Sequence, residues 1–343
     1  MPDFPYINAR VRAMRSRLLK PAQIDDLVAV PSMASYLQAL AATPYSSDLQ
    51  EALVRYEGLR AVDDALARNL QRTTRSILGF ADGPPQKLIT VLLLRWDLAN
   101  LRAIVRGKQA GWPAEEILAA VMPAGTLSEV VLKEMAGYPT ITALAGTLDA
   151  LDHPFAAPLA EGAAEYAKTN DPLSIELRLE RAYADYVLRQ SHGGSDARVL
   201  REMLTNEIDS ANVKTALKLA SAGGLSKEQR LRYFIPGGRL TTERIFLNLS
   251  SDQTQAQAWA HIRAQGFPAK DLPRDLIAFE RDLDLHLAQA MADRYIGGDP
   301  LGLDIIIGYL AMKSAEVANL RLIARGKFLG LAAEAVRREL ARV

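Results

Sequence analysis

The chain has 343 residues, of which 49% are hydrophobic and 24% charged, values that are ordinary for a folded globular protein and exclude a largely disordered one. Its 41 basic and 40 acidic residues leave a formal net charge of +1, so no global charge directs it to nucleic acid or to an anionic membrane. The absence of cysteine excludes disulfides, thiol nucleophiles and zinc–thiolate sites, and it suits a reducing compartment. These values favour a folded cytoplasmic protein.

The first predicted element is an amphipathic helix from Tyr6 to Leu19. Its apolar and basic residues lie on different sides, with Tyr6, Val11 and Met14 set against Arg10, Arg12, Arg15 and Arg17. Ser32 then has the position and the hydroxyl of an N-cap, which predicts a helix over 33–42. The N-terminus has neither the basic nor the apolar region of a signal peptide, and no apolar run reaches the roughly 20 residues of a membrane helix.

Helical periodicity continues along nearly the whole chain, with glycine and proline mostly at junctions, so the fold class is predicted to be all-α. One segment, 233–249, is ambiguous. Its first half is a turn-rich loop around Pro236, Gly237 and Gly238, after which Thr241 or Thr242 could begin another helix.

A motif recurs three times at nearly equal spacing: an acidic residue, Ala-Asn two positions later, two basic residues four positions apart, and a glycine. The copies begin at Asp97, Asp209 and Glu316, and their asparagines, about 110 residues apart, are Asn100, Asn212 and Asn319. The outer copies also contain Gly-Lys, as Gly107-Lys108 and Gly326-Lys327. This spacing exceeds a solenoid period and indicates a triplicated, domain-sized helical unit.

Each motif copy follows a long amphipathic helix that is predicted to open near an acidic residue, namely Glu57, Glu180 or Glu280. We therefore predict three homologous helical repeats, 1–112, 113–224 and 225–343, arranged as a pseudo-threefold body.

On a helical wheel the acid and the amide of the first copy lie on or beside a face with Leu101 and Ile104, which predicts that they are buried. Buried polar groups need hydrogen-bond partners. The simplest interpretation is structural: the six acid and amide residues fasten the motif helix to its neighbours, namely Asp97, Asn100, Asp209, Asn212, Glu316 and Asn319. A catalytic or ligand-binding role is the alternative.

The basic pairs lie on the opposite face of the wheel: Arg102/Arg106, Lys214/Lys218 and Arg321/Arg325. Like charges at this spacing cost a few tenths of a kcal/mol in an isolated helix. They are either solvated outer faces or, by hypothesis, the border of an interface that meets acidic groups of a partner.

Catalytic patterns are sparse. The four histidines fit no paired-ligand spacing, so no metal site is predicted. Neither Gly-Lys pair has the rest of a P-loop, and we expect no bound nucleotide. The segment 191–196, Ser-His-Gly-Gly-Ser-Asp, contains hydrolase-like residue types, but a catalytic triad is assembled in space on a scaffold. We predict no catalytic residues and no cofactor.

Four segments together resemble one known family. They are Tyr6-Ile7-Asn8-Ala9-Arg10-Val11-Arg12-Ala13-Met14, the stretch 92–102, the loop Pro236-Gly237-Gly238-Arg239, and the C-terminal stretch from Asp299 through Asn319 to Leu331. Over essentially its whole length the chain resembles the C subunit of bacterial and archaeal V/A-type ATPases, the counterpart of the eukaryotic d subunit.

This resemblance implies an all-α, pseudo-threefold funnel on the cytoplasmic face of the membrane, peripheral to it. Such a funnel seats on the proteolipid ring, receives the rotor shaft of the soluble motor, and transmits torque without catalysing a reaction. The opening helix, with Arg10 and Arg12, becomes a candidate for contact with ring loops or lipid headgroups, although a core helix is the simpler interpretation. The alternatives are a helical scaffold that binds acidic partners and a helical enzyme with a central site.

Overall fold

The computed structural model describes residues 3–171, 173–251, 255–264 and 275–342 of the chain. Within these ranges all regular elements are α-helices, which confirms the predicted all-α fold class. In chain order they are Phe4–Arg15 (α1), Pro21–Ala29 (α2), Met33–Ala41 (α3), Ser46–Leu53 (α4), Gly58–Gly79 (α5), Gly83–Gln109 (α6), Ala114–Ala119 (α7), Glu129–Gly137 (α8), Ile141–Ala150 (α9), Ala156–Thr169 (α10), Leu173–Gln190 (α11), Ser195–Ala222 (α12), Lys227–Leu231 (α13), Glu243–Leu249 (α14), Gln255–Ala264 (α15), Leu276–Gly297 (α16), Asp304–Phe328 (α17) and Ala333–Glu339 (α18).

The chain forms two compact units. Unit 1 contains Met1–Ala143 and Met291–Val343, and unit 2 contains Leu144–Ala290. The predicted repeat boundaries near 112 and 224, and the threefold arrangement, stay predictions.

Unit 1 is organised around α17, which packs along α5. The two helices run antiparallel, because Asp63 near the start of α5 meets Arg321 near the end of α17, and Thr73 near the end of α5 bonds to Tyr309 near the start of α17. The short helices α2, α3 and α4 complete the core, and the Tyr36 hydroxyl donates to the Leu320 carbonyl at 2.9 Å. Fully buried apolar side chains hold this layer together, among them Leu40, Leu49, Val62, Leu66 and Leu320.

The N-terminal helix differs from its predicted form. It begins at Phe4, behind the N-cap Asp3, and ends at Arg15 rather than Leu19. Beyond the helix, the Leu19 amide donates to the Glu316 carboxylate at 2.5 Å instead of to a helical carbonyl. Tyr6 does not belong to the buried side, since it is 48% exposed, whereas Ile7 and Val11 are fully buried.

The N-cap predictions agree with the structure more closely. Ser32 caps α3, its hydroxyl accepting from the Ser35 amide, and the helix ends at Ala41, one residue before the predicted end. In the ambiguous segment, Thr242 is the N-cap of α14 and its hydroxyl accepts from the Ile245 amide.

Unit 2 packs α10 against α11 and α12 against α14. Val213, Phe246, Leu249 and Ile262 form part of its apolar core. The prediction that a helix opens near Glu180 is wrong, because α11 begins already at Leu173. An acidic residue within a helix does not mark its start unless the residues before it are unable to continue the turn.

Candidate functional site

The three motif helices, α6, α12 and α17, share one hydrogen-bonding device, which we call the asparagine bracket. In each, the buried asparagine donates to the carbonyl and accepts from the amide of a single residue further along the chain. Asn100 binds Met122 at 2.7 and 2.7 Å, Asn212 binds Ile235 at 2.8 and 2.9 Å, and Asn319 binds Ala341 at 2.7 and 2.8 Å. The sequence separations are 22, 23 and 22 residues.

The segment enclosed by each bracket is also repeated. A short helix follows every motif helix, α7 after α6, α13 after α12 and α18 after α17, and the bracketed residue lies just beyond it. Because a side-chain amide that binds both backbone groups of one residue fixes that residue's position and orientation, the bracket ties each returning segment to its motif helix.

The acidic residue of the motif holds the next part of the returning segment in the first two copies. Asp97, fully buried, accepts from the Thr126 amide and hydroxyl at 2.8 and 2.7 Å and from the Leu127 amide at 3.0 Å. Asp209 accepts from the amides of residues 239, 240 and 241 and from the Thr241 hydroxyl at 2.6 Å. Several N–H donors converging on one carboxylate make a strong buried anchor.

The two anchored loops have matching sequences, although they lie 113 positions apart (235 − 122). Met122-Pro123-Ala124-Gly125-Thr126-Leu127 corresponds to Ile235-Pro236-Gly237-Gly238-Arg239-Leu240. The glycine two positions after the proline lies against the motif aspartate in both loops. A Cβ added at Gly125 would be 2.0 Å from Asp97 Oδ1, and a Cβ added at Gly238 would be 2.2 Å from Asp209 Oδ1. A pattern Pro-x-Gly-x-Leu, starting 23 or 24 residues after the asparagine (123 − 100 and 236 − 212), could have identified both.

We expect Gly125→Ala and Gly238→Ala each to destabilise the protein by about 3 kcal/mol, because the new methyl group would displace a buried, fully bonded carboxylate. Chemical denaturation of each variant measures the loss. Gly146→Ala is the matched control, since a Cβ there meets nothing within 4 Å. In a helix interior that change should be neutral or slightly stabilising. Equal effects at all three glycines would contradict the proposed close approach.

The third copy uses a glutamate, and its partners come from other parts of unit 1. Glu316 accepts from the Leu19 amide at 2.5 Å, from the Tyr45 hydroxyl at 2.6 Å and from Lys313 Nζ at 2.9 Å. Lys313 also donates to the Tyr45 oxygen at 2.7 Å. This buried Lys313–Glu316–Tyr45 cluster was not predicted, because nothing in the sequence relates residues that are separated by 268 to 297 positions.

Burial determines the titration behaviour of this region. It lowers the pKa of Lys313, an effect that the neighbouring Glu316 carboxylate opposes, and it raises the pKa of the Tyr45 and Tyr36 hydroxyls. Burial, assisted by Glu316, also raises the pKa of Tyr309 to about 12.

A raised tyrosine pKa makes stability depend on alkaline pH. A tyrosine in the unfolded chain loses its proton near pH 10, whereas folded Tyr309 keeps its proton to about pH 12. The stability that this pKa difference gives the folded state is therefore complete below about pH 10 and is lost as the pH rises from about 10 to about 12. From about pH 9 to pH 11 this loss is about 1.4 kcal/mol. Urea denaturation at both pH values should show that Tyr309→Phe loses less stability over this interval than the unchanged chain. An identical pH dependence in the two proteins would contradict the assignment.

The Gly-Lys pair of the outer copies has a local structural role. Gly107 and Gly326 let the following short helices approach, since a Cβ would lie 2.5 Å from Ile117 and 2.5 Å from Val336 respectively. Lys108 donates to the Ala136 carbonyl at 3.0 Å. Lys327 donates to the Val28 carbonyl at 2.6 Å. Both lysines therefore bind carbonyl groups near the C-terminal ends of neighbouring helices, a favourable place for a cation.

The basic pairs that were predicted to meet a partner are in several cases bound within the chain. Lys214 Nζ lies 2.6 Å from Asp284 Oδ1, and Lys218 Nζ lies 2.7 Å from Glu280 Oε1. Arg321 Nε lies 3.1 Å from Asp63 Oδ1, where burial is the main influence on both groups, raising the pKa of the acid and lowering that of the base.

The second member of each basic pair is the more accessible one. Arg106, Lys218 and Arg325 are exposed, whereas the first members, Arg102, Lys214 and Arg321, are half-buried. The second cation of each pair is therefore the more exposed one, although Lys218 is also bound to Glu280.

The arginines of α1 are exposed but ordered by contacts with unit 1. Arg12 donates to the Pro300 carbonyl at 2.9 Å, and the Arg10 guanidinium lies 4.8 Å from the centre of the Phe80 ring. Asn8, a buried polar side chain of α1, donates to the Gly302 carbonyl at 2.9 Å.

One cavity of about 350 Å³ lies in unit 2 beside α10 and α11. Arg178 binds Glu161 and Glu165 there, while Arg181 donates to the Phe234 carbonyl at 3.1 Å. Burial and the neighbouring cations lower the pKa of Arg181. These charges hold α10, α11 and the segment around 232–234 together.

The described ranges contain no cluster of three or more histidine or acidic side chains that could hold a metal ion. Within the same ranges, none of the helices is long and apolar enough to cross a membrane.

The fold and the brackets define an all-helical protein in which a motif helix, a short helix and an anchored returning segment are repeated. Comparison with known proteins identifies the family: the model of the ATP synthase (C/AC39) subunit matches residues 7–339. The chain is 32% identical to the C subunit of the V-type ATP synthase of Deinococcus radiodurans, over 99% of this chain and 92% of that protein. It is 31% identical to the protein of the same name from Thermus thermophilus, over 98% of each chain. It is 30% identical to the C subunit of the A-type ATP synthase of Haloferax volcanii, over 98% of this chain and 96% of that protein. The chain belongs to the ATP synthase (C/AC39) subunit family.

Proposed function

We propose that this protein is the connecting subunit of the central stalk in a V/A-type rotary ATPase or ATP synthase. It joins the rotor shaft of the soluble motor to the membrane proteolipid ring and transmits torque between them. The observation that carries the proposal is the family match over residues 7–339, together with relatives that are named as C subunits of ATP synthases and align over nearly their full length.

The packing of the described residues suits a mechanical role. A coupler must resist twisting, so the segments between its long helices need to be tied to those helices. The three brackets do this through two short hydrogen bonds each, and Asp97 and Asp209 add further anchors. Buried networks in which the bonding groups are paired with one another rigidify a structure more than exposed ion pairs do.

We further propose that the subunit has no catalytic activity of its own, uses no cofactor, binds no nucleotide or nucleic acid, and works peripherally at the cytoplasmic face of the membrane. The predicted alternative, a helical scaffold that binds acidic partners outside rotary motors, is not favoured, because the named relatives are subunits of ATP synthases.

Reconstitution tests the proposed function. The isolated full chain should bind the shaft subunits in a defined stoichiometry, join them to detergent-solubilised proteolipid ring, and hydrolyse no ATP alone. Failure to associate with either the shaft or the ring would contradict the proposal.

The partner role of the basic pairs remains a proposal that a charge swap can test. Lys214→Glu with Asp284→Lys keeps the internal ion pair while inverting the charge pattern of the surface. We expect a change in stability below about 1 kcal/mol, since exposed pairs contribute little. If the pair also borders an interface, affinity for the shaft or the ring should fall at least about tenfold, which corresponds to about 1.4 kcal/mol. Unchanged affinity would leave Lys214 with a purely internal role.

A further inference from the structure

The first helix, α1, forms one end of unit 1 together with two turns. Arg10 stacks over Phe80 in the turn between α5 and α6, and Asn8 and Arg12 bind carbonyls of Gly302 and Pro300 before α17. We call this surface the α1 end. It brings residues from the two ends of the sequence of unit 1 onto a single exposed face.

Cations at the α1 end lack acidic partners. Arg10, Arg12, Arg15 and Arg17 are all exposed, and within the described ranges none of them forms an ion pair. The Arg15 guanidinium lies 4.6 Å from the centre of the Tyr295 ring, a contact with an uncharged aromatic face that leaves Arg15 exposed. Two more exposed cations without an ion pair in the described part of the chain flank the Phe80 turn in sequence, Arg75 near the end of α5 and Lys87 near the start of α6.

Acidic groups on the same elements are fewer and partly engaged. The exposed ones are Asp3, Asp82, Asp293 and Asp299, which gives six exposed cations against four exposed carboxylates, while Arg294 and the buried Asp304 pair with each other. Asp3 accepts from the Tyr6 amide and Asp299 from the Leu301 amide, so each is also used in a local cap or turn. The cations therefore exceed the acids, although the whole chain is nearly neutral.

Large apolar side chains are exposed among these cations. Ile296 is 83% exposed, Leu301 57% and Tyr6 48%. Exposed aliphatic and aromatic groups beside arginines are typical of surfaces that lie at the headgroup level of a membrane, where the apolar groups enter the interface and the cations bind phosphates.

The opposite end of unit 1 has a different chemistry. α17 is about 37 Å long at 1.5 Å per residue, and its C-terminal end exposes Phe328, Leu329 and Leu331. Lys327 there binds the Val28 carbonyl and Arg321 binds Asp63. Arg325 and Arg338 are exposed, but the exposed acids Glu334 and Glu339 lie on the same short helix as Arg338. The excess of exposed cations over exposed acids thus favours the α1 end, not this apolar end, for an anionic surface.

We propose that the α1 end is a docking surface for anionic phospholipid headgroups, with Arg10 and Arg17 contributing charge and Leu301 entering the interface. This assignment deepens the proposed function, on which it rests, by stating which end of unit 1 faces the membrane. A cation near an anionic bilayer strengthens binding by roughly fivefold, from about 1 kcal/mol each, so several together give measurable attachment.

The test uses the full chain and vesicles. The unchanged protein should sediment with vesicles of equimolar phosphatidylglycerol and phosphatidylcholine, release as salt rises, and ignore pure phosphatidylcholine vesicles. Arg10→Glu with Arg17→Glu should weaken binding at least about tenfold, since two cations are lost and two anions added. Leu301→Ser should weaken it by a smaller factor. Arg338→Glu is the matched control: Arg338 is exposed on α18 at the opposite end of unit 1, and its reversal should change binding less than about twofold.

Circular dichroism and thermal unfolding of each variant establish that it is folded, and Arg17→Glu alone is the fallback because the Arg17 side chain has no hydrogen bond or ion pair in the described ranges. Absence of binding to anionic vesicles, or equal loss in the Arg338 variant, would overturn the proposal. If the vesicles do not bind but the α1 variants lose the proteolipid ring, the surface meets protein instead. Shaft binding, measured in parallel, reports on the proposed function separately.

Discussion

Asp209→Ala should lower the free energy of unfolding by about 4 kcal/mol. The carboxylate is 1% exposed and accepts from three consecutive backbone amides and one hydroxyl in the loop 239–241. Without it, these donors remain largely shielded from water, and each unsatisfied buried group costs about 1–3 kcal/mol. Because the loop can relax toward water, the expected loss is smaller than the sum of these individual costs. Denaturant titration measures the stability, and amide hydrogen exchange at Leu240 and Thr241 should accelerate first.

Asp284→Ala is the matched control for Asp209→Ala, because it also removes an aspartate of unit 2, but one that is 58% exposed and, among the residues that the structure describes, bonded to Lys214 alone. Its cost should stay below about 1 kcal/mol. Asp209→Asn, which keeps the size and one acceptor oxygen, should fall between the two. Similar costs for Asp209→Ala and Asp284→Ala would show that the loop does not depend on its carboxylate.

Glu316→Ala should destabilise unit 1 by about 3–5 kcal/mol. The substitution leaves Lys313, which is 5% exposed, as a buried charge without a carboxylate, and it deprives the Leu19 amide and the Tyr45 hydroxyl of their acceptor. The segment that leads from α1 to α2 should loosen at the same time, since Leu19 lies between them. Increased proteolysis near Leu19 would report this local effect.

A second substitution distinguishes the buried charge from the lost hydrogen bonds. In Lys313→Met with Glu316→Gln no charge remains, and the glutamine oxygen can still accept from Leu19 or Tyr45. We expect this double variant to recover to within about 2 kcal/mol of the unchanged chain, because apolar or neutral replacements of buried ion pairs are often tolerated. If it is as unstable as Glu316→Ala, the unpaired charge is not the cause of the loss.

The two fastening arrangements bear on how torque is carried. In the first two motif copies the carboxylate anchors a loop that follows the motif helix, whereas Glu316 anchors a segment from the beginning of the chain. The third motif helix therefore binds both Ala341, close to the end of the chain, and Leu19, in the segment between the first two helices. In a rotating connector, this would prevent both ends of the chain from separating from the body under load.

Several features of this protein followed from its sequence. Helical periodicity was sufficient for the all-α class, and the threefold recurrence of Asn100, Asn212 and Asn319 identified the motif helices. Ser32 could be recognised as an N-cap because capping depends on a neighbouring amide. Such features are local: the period of a helix and the reach of a short side chain are determined by residues a few positions apart.

The tertiary structure alone decided what each motif residue binds. The sequence does not show that Glu316 meets Leu19 and Tyr45, that Lys214 and Arg321 bind acids of their own chain, or that the arginines of α1 lie beside the turn before α17. These partners are distant along the chain, and which of them come together depends on the packing of whole helices. The recurring sequence thus identified which residues make the anchoring hydrogen bonds. The folded chain determined which groups these residues bind and which cations remain exposed.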